Sequence, residues 1–230
     1  MTTLLPTTNR ETWAQFVQEI EIALDAHRNQ AVADREISQT FVASEGVPLP
    51  WSQARVLEWL SFQTYYEYQA ILFISKWLQT TPETDVMVML CQQIEDEANH
   101  FNWLNQHLEQ MGGRLSEWSP LPEMVDWIET YYHNLPDTIS RLAAHNLAGE
   151  SGACRSFSNI VPFLPEDLQK TMRRIMPDEQ FHLRIGRRTL SKYCVTNEQR
   201  SLARDRALEV IDLESRAIAA FNQKLASLES

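Results

Sequence analysis

Two glutamates in this chain stand alone inside apolar stretches, and each is followed, one predicted helix further on, by the same five-residue pattern. Glu67 lies in Tyr65-Tyr66-Glu67-Tyr68-Gln69-Ala70, and Glu150 lies in Leu147-Ala148-Gly149-Glu150-Ser151-Gly152-Ala153. The patterns that follow are Asp96-Glu97-Ala98-Asn99-His100 and Asp178-Glu179-Gln180-Phe181-His182, both D-E-x-x-H. The spacing is nearly equal, with 28 residues between Glu67 and Asp96 and 27 between Glu150 and Asp178. One chemical pattern therefore occurs twice. Random placement of 21 Glu and 6 His over 230 positions yields roughly half an E-x-x-H, so a single hit means nothing. The weight lies in the compound pattern, because both copies carry the preceding Asp and both follow a lone mid-helix Glu.

The carrier of this pattern is helical. Only 6 glycines occur in 230 residues, and no strand-like alternation, glycine-rich phosphate loop or low-complexity tract interrupts the long Leu, Ala, Glu, Gln and Arg-rich stretches. Thr8 and Glu11 form a capping-box pattern ahead of Trp13, Phe16, Ile20 and Leu24, which predicts a first helix over about 9–29. After Pro48 and Pro50 a broad apolar face predicts a buried helix up to about Gln79. Thr81-Pro82-Glu83 is a start signal and Gly112-Gly113 a stop, which predicts a helix over about 82–111 with Thr81 as its N-cap hydroxyl. A short amphipathic piece holds Trp127 and Tyr131, Pro136-Asp137 opens a helix that ends before Pro162, and Pro165 opens another that runs to about Tyr193. Thr196 with Gln199 caps a last helix to about Leu228. No linker divides these elements. The reading is a single all-α domain over 1–230, with a four-helix bundle core at about 52–193 and additional N-terminal and C-terminal helices.

Charge and cysteine usage exclude several functions. With 20 Lys and Arg against 31 Asp and Glu, the net charge of -11 repels nucleic-acid backbones and anionic lipid surfaces. No apolar run reaches the roughly 20 residues a membrane helix needs, and the first residues lack a basic region followed by an apolar one, so a cytoplasmic location is expected. Cys91, Cys154 and Cys194 are widely spaced, which fits a reducing compartment and no thiolate metal site.

On a helix, residues i and i+3 leave one face about 5–6 Å apart, so the Glu and His of each motif can reach one divalent ion. Four carboxylates cannot stay ionised in an apolar interior without opposite charge. Four ionised Glu and two neutral His balance two divalent cations. Carboxylate-rich ligation with one imidazole per ion suits iron first and manganese, alone or mixed with iron, second.

At these residues, over about 55–190, the sequence resembles the ferritin-like di-iron carboxylate superfamily, in which two helices each supply a Glu and two others each supply a Glu-x-x-His. The doubled form is most similar to its oxygen-activating branch: bacterial multicomponent monooxygenases, ribonucleotide reductase small subunits and aldehyde-deformylating oxygenases. The resemblance implies a ferritin-like bundle in which Glu67, Glu97, His100, Glu150, Glu179 and His182 ligate two Fe ions, with Glu97 and Glu179 as bridges. It also implies that Asp96 and Asp178 orient the imidazole of the opposite motif. The implied function is a non-haem di-iron oxygenase or oxidase that activates O2 to oxidise a small organic substrate. A ferredoxin or flavin reductase would donate electrons, since the chain carries no flavin, haem or dinucleotide motif, and a homodimer is compatible with the family.

The chain also departs from that pattern. Asn99 and Phe181 stand where an Arg is often found, and Leu104 stands where reductases carry a radical-forming Tyr. Cys154 replaces a Thr common in monooxygenases, either as core packing or as a group beside the oxygen-binding side. Ile175 replaces a His of arylamine N-oxygenases, and Pro177 is expected to kink its helix or open a wider turn at the site. His107 shares the face of His100 and reads as a polar helix end or a group that supports the ligands from behind, not as a third ligand. The alternative function is iron handling by a ferroxidase or a rubrerythrin-like peroxidase. Two complete motifs argue against the first and only three cysteines against the second. A non-catalytic scaffold subunit would have lost ligands, and none is lost.

Overall fold

The computed structural model describes residues 8–33 and 50–228, with side chains over 15–29 and 50–228, and every regular element among them is helical. The capping pair Thr8 and Glu11, with Trp13, falls outside the described side chains. Helix α1 spans Thr8–Ala33, α2 spans Gln53–Leu78 and α3 spans Thr84–Gln110. Helix α4 runs without a break over 138–160: one α-helical turn, Thr138–Arg141, a wide π-helical stretch, Leu142–Gly149, and a further α-helix, Glu150–Ile160. Helices α5, Glu166–Tyr193, and α6, Asn197–Ser227, complete the chain.

The helix ends follow local chemistry. Asp137 caps α4 by accepting from Ser140 N, and Thr196 and Gln199 close a reciprocal capping box on α6. Gly112 takes φ 83 after α3, where a side chain would be strained, and Gly113 N returns to Leu108 O. The expected cap at Thr81 is corrected. Its hydroxyl donates to Trp77 O at 2.9 Å and finishes α2, so α3 starts at Thr84 with Glu83 ahead of it. The wider turn expected at Pro177 is corrected too: α5 stays α-helical through that residue, which lies on its exposed face, where water can serve the carbonyl that proline leaves unpaired. The wide turn opens in α4 instead.

Helices α2 and α3 form one antiparallel hairpin and α4 and α5 a second, each joined by a short connection, and residues 111–137 carry the chain between the two. Both hairpins meet along α3 and α5, while α1 and α6 pack on each other and cover α4 and α5. Helix α2 is buried on nearly all sides from Trp59 to Tyr65, the sign of an interior rod. Val17, Ile20 and Leu24 face inward from α1, and Ala203, Ala207, Val210 and Ile211 from α6. Gly186 lets α5 approach α4, since a Cβ there would stand 2.8 Å from Asn146 C and 2.9 Å from Leu147 N. Among the described residues no helix is long and apolar enough to cross a membrane.

Candidate metal centre

The two hairpins close over the six residues singled out in the sequence. Glu67 comes from α2, Glu97 and His100 from α3, Glu150 from the turn where the π-helical part of α4 ends, and Glu179 and His182 from α5. All are buried: the four carboxylates are 2–4% exposed and both imidazoles 0%.

Each imidazole turns Nδ1 inward and Nε2 outward. Nδ1 of His100 lies 3.6 Å from Glu67 Oε2, 3.6 Å from Glu97 Oε2 and 3.4 Å from Glu179 Oε1. Nδ1 of His182 lies 3.4 Å from Glu97 Oε1, 3.6 Å from Glu150 Oε1 and 3.7 Å from Glu179 Oε2. Glu97 and Glu179 therefore each present one oxygen to each imidazole. Glu67 serves the His100 side and Glu150 the His182 side. Neither Nδ1 has a hydrogen-bond partner, although both are buried. On the outer side, Asp178 Oδ2 lies 3.3 Å from His100 Nε2 and Asp96 Oδ2 lies 3.3 Å from His182 Nε2. Each motif's Asp thus holds the ring of the other motif. Glu67, Glu97, His100 and Glu179 form one group that could hold a metal ion, and Glu97, Glu150 and His182 a second.

Four carboxylates crowded out of water have to be neutralised. Among the described residues their ion-pair partners are imidazoles. Burial pushes the Glu67 carboxyl up to about 8, and burial with the charges of Glu179 and Glu97 pushes Glu150 well above the carboxylate range. Burial acts upward on Glu97 and Glu179 as well, but His182 and His100 overcome it and hold both low. Against the cost of burial, the neighbouring Glu67 and Glu97 push His100 up to about 12, and Glu97, Asp96 and Glu179 push His182 up to about 10. Without metal the cluster thus reaches neutrality with two ionised and two protonated carboxyls and two imidazolium ions.

An amide network holds the carboxylates from behind. Gln63 Nε2 donates to Glu67 Oε1 at 2.9 Å, and Gln93 Nε2 donates to Glu97 Oε1 at 3.0 Å and to Glu150 Oε1 at 2.9 Å. Gln93 Oε1 in turn accepts from Asn146 Nδ2 at 2.7 Å, and that amide also reaches His182 O. The sequence reading missed Gln63, Gln93, Asn146 and His145. For the glutamines a signal existed, since each stands four residues before its Glu, on the same helical face. His145 is 0% exposed, with Nδ1 3.5 Å from Glu150 Oε1, and burial pushes it down to about 4, so it is neutral.

Cys154 is half-buried one turn beyond Glu150. Burial, with the charge of Glu179, pushes its thiol up to about 11. His107 lies apart from the cluster, where Nε2 meets Thr171 Oγ1 at 2.8 Å and ties α3 to α5. Phe62 and Tyr65 are core packing, with Tyr65 OH donating to Glu129, whereas Tyr68 is exposed and Trp103 carries the Arg174 guanidinium over its ring. The chain matches no protein-family model, no curated protein and no solved structure.

Proposed function

We propose that this protein is a non-haem dinuclear iron oxygenase or oxidase of ferritin-like fold. Glu67, Glu97, His100, Glu150, Glu179 and His182 would hold two iron ions, with manganese or a mixed pair as the second choice. One observation carries the reading: Glu97 and Glu179 each direct one oxygen to His100 and the other to His182, the disposition of two carboxylates shared between neighbouring cations. Donor chemistry agrees, because four carboxylates and two imidazoles match the charge of two divalent ions and suit iron better than zinc. Bound ferrous ions would supply electrons to O2, O2 would be the oxidant of a small organic substrate, and a ferredoxin or flavin reductase would restore the electrons to the irons.

The chain's own residues have definite tasks in this reading. Asp178 and Asp96 accept from the outer nitrogens of His100 and His182, which leaves the inner nitrogens free to bind metal. Gln63 and Gln93 fix the rotamers of Glu67, Glu97 and Glu150 by donating to their oxygens. The packed aromatic and aliphatic side chains around the cluster keep water out, which strengthens every charge interaction within it. Cys154 lies on the Glu179 side and is kept as a neutral thiol.

Anaerobic loading with Fe(II), metal counting, and Mössbauer and optical spectra before and after O2 test the proposal. Two irons per chain that oxidise together on O2 addition are expected. Uptake far beyond two irons per chain would move the protein to the iron-handling class, and failure to bind two would reject the centre.

A further inference from the structure

His145 takes no part in the six-ligand set, yet it is the buried polar side chain hardest to explain without a cation. It is fully buried, and neither ring nitrogen has a hydrogen-bond partner. Leaving a buried polar atom unpaired costs about 1–3 kcal/mol. One side of the ring has a clear environment: Phe73, Trp77 and Tyr132 stand edge-to-face with it at centroid distances of 4.9, 5.8 and 5.2 Å. Nδ1 faces Glu150 Oε1 at 3.5 Å with no hydrogen bond between them. Metal ligation ionises Glu150, and a cation between its oxygen and the Nδ1 lone pair would satisfy both.

We propose that His145 is a third imidazole of the metal centre and binds, through Nδ1, the ion held by Glu150 and His182. The inference rests on the dinuclear reading above. The separation supports it: two donors about 2.1 Å from one ion stand about 3.0 Å apart at a right angle and about 3.4 Å apart at the tetrahedral angle. The inner nitrogens of His100 and His182 stand 3.4–3.7 Å from their carboxylate oxygens, and the His145 contact lies in that range. All three histidines offer the same atom, Nδ1. Backbone geometry supplies the means. His145 precedes Glu150 by five residues, which an ordinary α-helix would turn to different faces, but the π-helical stretch Leu142–Gly149 widens the turn, with Glu150 N bonded to His145 O, and brings them together. The centre is then unequal, with one imidazole on the His100 side and two on the His182 side.

Anaerobic titration of the metal-free protein with Co(II) alone, read by ligand-field absorption, tests this. The wild type should bind two Co(II) with two distinct spectra. In His145→Phe the His100-side spectrum should persist, while the other ion binds at least about tenfold more weakly with an altered band, tenfold being the low end of what loss of even an outer partner costs a metal site. A measurement that needs no variant is the proton NMR spectrum of the Co(II)-loaded wild type in H2O and D2O. Three exchangeable, strongly shifted imidazole N–H signals support three histidine ligands. Two such signals, or a His145→Phe variant equal to wild type in affinity and spectrum, overturn the assignment and leave the six-ligand centre standing. A wild type that binds no Co(II) overturns both.

Discussion

Loading the metal-free protein with two divalent ions should expel about four protons at pH 7. Without metal, one proton each sits on Glu67, raised to about 8, on Glu150, raised well above the carboxylate range, on His100, raised to about 12, and on His182, raised to about 10. Metal ligation requires ionised carboxylates and neutral imidazoles, so all four must leave. The exchange conserves charge, as two doubly charged ions replace four protons in a buried space that tolerates neither excess. It follows by linkage that the product of the two binding constants falls about ten-thousandfold for each pH unit lowered, or about 5 kcal/mol per unit. Above pH 8 the release should drop toward three, because Glu67 is then ionised before metal arrives. Anaerobic calorimetry with Mn(II) in two buffers of different ionisation enthalpy reads the proton count directly. A count of zero or one would refute the reasoning, for it would mean that four carboxylates share this interior without the compensation described.

The same protons set the stability of the metal-free form. Glu67 titrates higher in the folded state than the ordinary 4.5, and His100 higher than 6.5, so their contributions are complete below those values and are lost as pH rises through about 8 and about 12. The melting temperature of the metal-free protein should therefore fall from pH 5 to 8, and a rise across that window would contradict the sign. Glu150→Ala should abolish binding of two metals per chain while far-UV circular dichroism stays near wild type; a variant that still binds both ions would reject the ligand set. Gly186→Ala gains about 1 kcal/mol of helix propensity but drives a methyl into the backbone of Asn146 and Leu147, an overpacking that costs about 1–3 kcal/mol or more. A net loss of up to about 2 kcal/mol is expected by urea denaturation, and a raised midpoint would mean that the two helices can part without cost.

Much of the architecture is written in local signals. The Thr196 and Gln199 capping box, Asp137 before α4 and the Gly112 stop are short-range features, and the structure places helix ends at each of them. Thr81 misleads because a hydroxyl between two helices can serve either, and the Trp77 carbonyl won. The convergence of Glu67, Glu97, His100, Glu150, Glu179 and His182 was also legible, because acidic groups in apolar helices have few places to go except toward one another and a shared counter-charge.

Periodicity assumes 3.6 residues per turn, and it fails where the chain departs from that value. Nothing in Leu142-Ala143-Ala144-His145-Asn146-Leu147-Ala148-Gly149 announces a π-helix, so the approach of His145 to Glu150 could not be read from spacing. Gln93 stood on the right face, but its bond to Glu150 on another helix depends on the rotation of α4 against α3. The amino-acid order thus decided which side chains would seek a common, charge-compensated interior. Tertiary packing decided how those side chains turn within it and which oxygen meets which nitrogen, because helix rotation and register are set by contacts between rods and not along them.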